Sequence, residues 1–215
     1  MMAESTNGRQ VARGLRDVIV ASPRFVAAPF MRSRHLRWGA TDAEVAGEMP
    51  GDALVPEASF CATRAITIDA APGAVWPWLA QLGFGRAGFY SYDLFDNAAR
   101  PSATAILPEF QDPQVGDWVP MASKVNETTA FKIAGLVPAE WMLWVKPNST
   151  WSWKLVALEG GRTRLITRLK QYNDWSASAP MAIMTVVLFE VGDFPMMRRL
   201  LLGVKARAEA PAHSS

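Results

Sequence analysis

The stretch from Ala62 to Asn97, ATRAITIDAAPGAVWPWLAQLGFGRAGFYSYDLFDN, limits the folds open to this chain more than any other. It predicts a strand, a helix, a glycine-rich turn and a second short helix, in that order. Thr63, Ile66, Thr67 and Ile68 are β-branched and suit a pleated, half-buried surface. Pro72 then suits a first helical turn, where the N–H has no partner anyway, and Asp69 stands upstream to accept from the unpaired N–H groups. Val75, Trp76, Leu79 and Leu82 recur at helical spacing, with Pro77 expected in the first turn. Gly83, Gly85 and Gly88 close that helix and allow positive φ. Tyr90, Tyr92 and Asp93 follow directly, so two phenols and a carboxylate stand beside the turn.

Short strands come next. Val115 to Val119, Phe131 to Val137 and Trp141 to Lys146 read as strands, with Pro138-Ala139-Glu140 turning between the last two. Trp151 to Glu159 and Arg162 to Tyr172 form a hairpin around Gly160-Gly161, a pair suited to a two-residue primed turn. That turn would set Trp153 against Arg168, Leu155 against Ile166 and Ala157 against Arg164. Opposed residues share a face, so Trp151, Trp153 and Leu155 would sit among Arg164, Arg168 and Lys170, with Val156, Leu158, Leu165 and Leu169 behind. Turned inward, Arg168 is a buried cation able to hold an acidic ligand group. Turned outward, it stacks on Trp153.

The last third reads as helical. Met181 to Phe189 is apolar all round, Gly192-Asp193 breaks it, and Asp193 is placed to cap the next helix. Phe194 to Glu209 then directs Met197, Leu200, Leu201 and Val204 inward and Arg198, Arg199, Lys205 and Arg207 outward.

Charge is unevenly spread. Net charge is only +2 over 215 residues, yet Arg9, Arg13, Arg16, Arg24, Arg32, Arg34 and Arg37 crowd the first 38 against Glu4 and Asp17. Residues 1–38 are therefore read as a basic arm whose Arg9–Val20 segment forms a short amphipathic helix, either packed on the domain or laid on an anionic membrane through residues 9–37. Residues 39–61 are an irregular strap, 62–209 the main domain and 210–215 a fraying tail. The uncharged run Trp175 to Phe189 is interrupted by Pro180 and falls short of the ~20 residues that span a bilayer. Cys61 is the one cysteine, which excludes an internal disulfide and fits a reducing compartment. A cytoplasmic protein, with membrane association left open, is the expectation.

Three segments carry a resemblance. Trp38 to Val45 (WGATDAEV), Gly83 to Asp93 and Phe194 to Glu209 (FPMMRRLLLGVKARAE) look like those of one bacterial branch of the START-like helix-grip superfamily, which includes polyketide cyclase/dehydrase-type proteins and plant pollen allergens. The resemblance covers roughly residues 38–209 and brings no catalytic signature. It implies an α+β fold in which a curved antiparallel sheet of about six to seven strands wraps a long C-terminal helix around an apolar cavity. It further implies a hydrophobic small-molecule partner such as a lipid or polyketide, in some members with cyclisation or dehydration.

The chemical inventory narrows the rest. His213 is in the tail and His35 in the basic arm, so no His-rich metal site and no cofactor is expected. Gly83 to Gly88 spells G-x-G-x-x-G but follows a helix, whereas the dinucleotide fingerprint follows a strand. Nucleic acid is not expected, because the arginines lack interleaved aromatic platforms. Tyr90, Tyr92 and Asp93 remain as acid or base candidates, with Glu109, Arg64, Arg168 and Tyr172 as further polar groups. In the structural alternative Asp93 caps the short helix and the phenols anchor the turn. A cavity lined by Trp76, Tyr90, Tyr92, Trp118, Trp141, Trp153, Arg168, Met197 and Leu201 is the binding expectation, and whether turnover accompanies binding stays open.

Overall fold

The computed structural model describes residues 32–172 and 192–211. The helices expected at Arg9–Val20 and Met181–Phe189, and the end of the tail, lie outside them. The elements are α1 (Arg32–Leu36), α2 (Asp42–Ala46), β1 (Phe60–Ile68), α3 (Pro72–Ala80), α4 (Asp93–Asp96), β2 (Trp118–Pro120), β3 (Ala130–Val137), β4 (Trp141–Lys146), β5 (Ser149–Leu158), β6 (Arg162–Gln171) and α5 (Phe194–Ala208). The strands form one six-stranded curved antiparallel sheet in the order β1-β6-β5-β4-β3-β2. Helices α3 and α5 pack on each other, and α5 lies against β1.

Local chemistry explains most of these boundaries. Pro72 opens α3 as expected, but Ala71 is the N-cap, and the Asp69 N–H instead donates to Glu209 Oε1 at 2.6 Å. Pro77 sits inside α3, past its first turn. Gly83, Gly85 and Gly88 take φ of 140°, 72° and 75°, and Gly83 pairs with Gly88 across the turn.

The 151–172 hairpin differs from its expected register by one residue. Ser152 faces Arg168, Trp153 faces Thr167 and Leu155 faces Leu165, because Glu159 joins Gly160 and Gly161 in a three-residue loop between Leu158 and Arg162. A one-residue slip exchanges every partner's face. Trp151 and Trp153 therefore share the inner face with Leu165, Thr167 and Leu169, and Arg164, Arg168 and Lys170 lie on the outer one. The mixed Trp/Arg face does not exist.

The two faces are covered differently. Inside, Ile68, Leu79, Trp144, Trp153, Leu165, Leu201 and Val204 belong to one buried cluster with α3 and α5. Outside, the strap lies across β1 and β6. Thr41 and Glu44 form a reciprocal cap that starts α2, and Met49 packs on Ala65 and Ile166. Glu44 takes Arg164 in a fork, Nε to Oε1 at 2.7 Å and Nη2 to Oε2 at 2.8 Å. That cation holds the Glu44 carboxyl well below its usual value, at about 2.

Gly203 sets how closely α5 approaches the glycine turn. A Cβ there would meet Tyr90 Cβ and the Tyr90 carbonyl oxygen, each at 2.6 Å, and a backbone atom cannot swing aside. Gly203→Ala is therefore expected to destabilise by about 1–2 kcal/mol, overpacking outweighing a helix-propensity gain of about 1 kcal/mol. Gly73→Ala, where nothing lies within 4 Å, carries that gain alone and should stabilise. Urea unfolding of the two variants checks the opposite signs.

Candidate ligand-binding face

The middle of the inner face is a wall of indoles. Alternation along β4 and β5 turns Trp144, Trp151 and Trp153 the same way, since Trp144 pairs with Trp151 and Met142 with Trp153. Ring centroids lie 5.2 Å apart for Trp144–Trp151, 5.4 Å for Trp144–Trp153 and 5.0 Å for Trp151–Trp153. Phe131 meets Trp151 edge-on at 5.8 Å, and Phe89 stacks parallel to it at 6.4 Å. Trp151 Nε1 donates to Thr167 Oγ1 at 3.0 Å, and that hydroxyl donates to the Ser152 carbonyl. Trp144 and Trp153 are 1% and 0% exposed, and neither indole N–H has a partner among the described residues.

Lys146 ends β4 in phase with Met142 and Trp144. Its ammonium lies 4.8 Å from the Phe131 ring centroid, and burial lowers its pKa.

The expected lining residues divide between the faces. Trp76, Trp153, Met197 and Leu201 are buried in the inner cluster with Tyr90. Trp118 pairs with Lys132, which pairs with Val145, and Trp141 pairs with Lys154, so both tryptophans stand on the outer face. Arg168 is also there, yet buried, because the strap covers it. Its Nε donates to Thr63 Oγ1 at 2.8 Å, its Nη atoms reach the carbonyls of Glu44, Val45 and Gly47, and Asp52 supplies the counter-charge. Neither expected role fits: Arg168 shares no face with Trp153, and its donors are taken up by the strap.

The acid–base candidates are held by structural bonds. The Tyr90 hydroxyl donates to the Trp78 carbonyl at 3.1 Å and accepts from Gln81 Nε2 at 2.8 Å. Burial pushes that phenol up to about 12. Arg207 lies over its ring at 4.1 Å, and Arg199 covers Tyr92 at 4.4 Å. Asp93 accepts from both the N–H and the hydroxyl of Ser102, fastening the 93–102 loop. Arg64 pairs with Asp193, while Glu109 and Tyr172 are exposed.

One group escaped notice in the sequence. Asp96 is 7% exposed at the end of α4, and neither carboxylate oxygen has a hydrogen-bond partner among the described residues. Neighbouring Ser91 gives its single proton to the Met196 carbonyl at 3.0 Å. Burial, reinforced by Asp93, raises the Asp96 pKa to about 7. Lys146 was missed as well, although its phase with Met142 and Trp144 carried the signal.

Among the described residues no group of three or more His, Cys, Asp or Glu could hold a metal ion, and no helix is long and apolar enough to cross a membrane. No protein-family model and no curated protein sequence matches the chain. Solved structures similar to it include a Polyketide_cyc-like protein, Cgl2372 from Corynebacterium glutamicum, at 15% identity and a TM-score of 0.41, covering 72% of this chain and 97% of that one. The Zhui aromatase/cyclase from Streptomyces sp. R1128 is similar at 15% identity and 0.41, covering 73% and 99%. The Aha1 dimer from Colwellia psychrerythraea is similar at 12% and 0.33, covering 62% and 97%. By its own strand order and the long C-terminal helix laid on the inner face of its sheet, the chain has the helix-grip fold.

Proposed function

We propose that the chain binds a hydrophobic small molecule, a lipid, polyketide or similar compound, between the inner face of the sheet and α5. The observation that carries this reading is the pair of buried indole N–H groups, Trp144 and Trp153, left without acceptors among the described residues. A folded interior leaves few such donors, because each costs about 1–3 kcal/mol when unmade. A guest with an apolar body and one or two oxygen acceptors would remove that cost while covering aromatic surface.

A cyclase- or dehydratase-type reaction through Tyr90, Tyr92 or Asp93 draws less support. Tyr90 and Asp93 spend their polar atoms on the turn and the 93–102 loop. A lipid carrier docked through residues 9–37 rests on the arginines of the arm. Liposome co-sedimentation with and without that arm separates it from simple binding.

Native mass spectrometry of the purified chain tests the main reading. The expected result is a non-covalent adduct that extracts into organic solvent. A bare mass, together with no uptake of the apolar dye diphenylhexatriene, overturns it.

A further inference from the structure

We infer that the guest of the inner face is an acid: Lys146 holds its anionic oxygen at the end of β4, while Trp144 and Trp153 take its remaining acceptors. This rests on the proposed binding at the same face and adds the ligand's charge.

Lys146 carries the inference by what it lacks. It makes no hydrogen bond or ion pair among the described residues, and its cation rests on the Phe131 ring. Lys170 and Lys205, by contrast, each lie beside carboxylates. An ammonium held half out of water is costly without a counter-ion, and burial is the cause that lowers its pKa. The cation is therefore half-desolvated and uncompensated, on the same face as two donors that are also uncompensated. The three share one shortage, an acceptor, and one of them calls for negative charge. Phe131 connects Lys146 to the indole wall, since its ring lies under Lys146 and 6.4 Å from Trp144. An apolar acid supplies the negative charge that Lys146 lacks and leaves an acceptor for an indole N–H, and a neutral hydrocarbon supplies neither. A lysine suits this task because its ammonium reaches a single oxygen as a point charge.

The test uses the full chain and two matched pairs of probes, 2-naphthoate with its methyl ester and dodecanoate with its methyl ester. Affinity is read by isothermal titration and tryptophan fluorescence. At least one acid should bind about tenfold or more tighter than its ester, and the skeleton that does so tells an aromatic guest from an aliphatic one. Lys146→Met should erase that preference by weakening the acid and leaving the ester unchanged, and Lys146→Arg should restore most of it. Trp144→Phe should weaken acid and ester together. Equal binding of acid and ester, or an acid preference that survives Lys146→Met, overturns the role of Lys146 and leaves the apolar-guest reading intact. If no probe binds, both readings fall.

Discussion

Replacing Arg64 by methionine is expected to lower the unfolding free energy by about 3–5 kcal/mol. Arg64 is a central residue of β1 whose side chain projects to the inner face opposite Thr167, where it is fully buried and costly to leave unpaired. It pairs with Asp193 at 2.5 Å, the two side chains being 2% and 6% exposed. Its Nε donates to the His35 carbonyl at 2.8 Å, and its guanidinium lies 5.8 Å from the Phe194 ring, on which His35 stacks from 3.8 Å. One guanidinium thus ties the end of α1, the first strand and the start of α5. Removing it strands the Asp193 carboxylate in the interior. The exposed pair Lys205–Asp69 belongs to a different class, worth about 0–1 kcal/mol.

Urea unfolding of Arg64→Met, Asp193→Leu and the double variant checks this. Each single change should cost several kcal/mol, and the double change should recover a large part, because no lone charge then remains. A single variant within about 1 kcal/mol of the parent, or a double variant whose losses simply add, would show that the pair does not hold these segments together.

The sequence carried the elements and concealed part of their faces. Helix α5 was legible because Met197, Leu200, Leu201 and Val204 fall on one stripe, and all four are buried. The glycine turn was legible because positive φ leaves few residue choices. Arg64 gave no such signal, since within a run of β-branched residues its partner lies 129 positions away. The hairpin failed at a single residue. Gly160-Gly161 suited a two-residue turn, Glu159 entered the loop, and every partner changed face. Arg168 then escaped both of its expected settings for a further reason. The strap that buries it has no hydrophobic period, and its carbonyls at the end of α2 form the cation site through backbone geometry. The candidate face was half legible: Trp153 was expected in the lining with Trp151 beside it on the hairpin, but Trp144, the sheet face that holds all three, and the two N–H groups without acceptors among the described residues depend on contacts that spacing does not encode.

Asp96 gives the second large effect, in the form of a pH dependence. Its carboxyl is raised from an ordinary 3.8 to about 7 in the folded chain. A raised acid favours the protonated form when folded, so its penalty is absent below the unfolded value. As pH climbs from about 4 to about 7 the unfolded chain ionises and the folded one resists, and stability falls. Above about 7 both states are ionised and the loss levels off. A shift of this size corresponds to about 4 kcal/mol at 1.36 kcal/mol per unit. The charges facing Asp96 are Asp93, which repels, and Arg199, which attracts. Asp93 is itself held by Ser102, so the repulsion is built into the loop. Asp96→Asn removes the ionisation and keeps the shape. At pH 4 the variant should equal the parent or fall slightly below it, since a buried amide also wants partners. By pH 8 it should be more stable by about 2–4 kcal/mol, with thermal unfolding at both pH values as the readout. Parallel stability curves for parent and variant between pH 4 and pH 8 would mean that Asp96 ionises freely in the folded chain, and the α4 corner would then have to open to water.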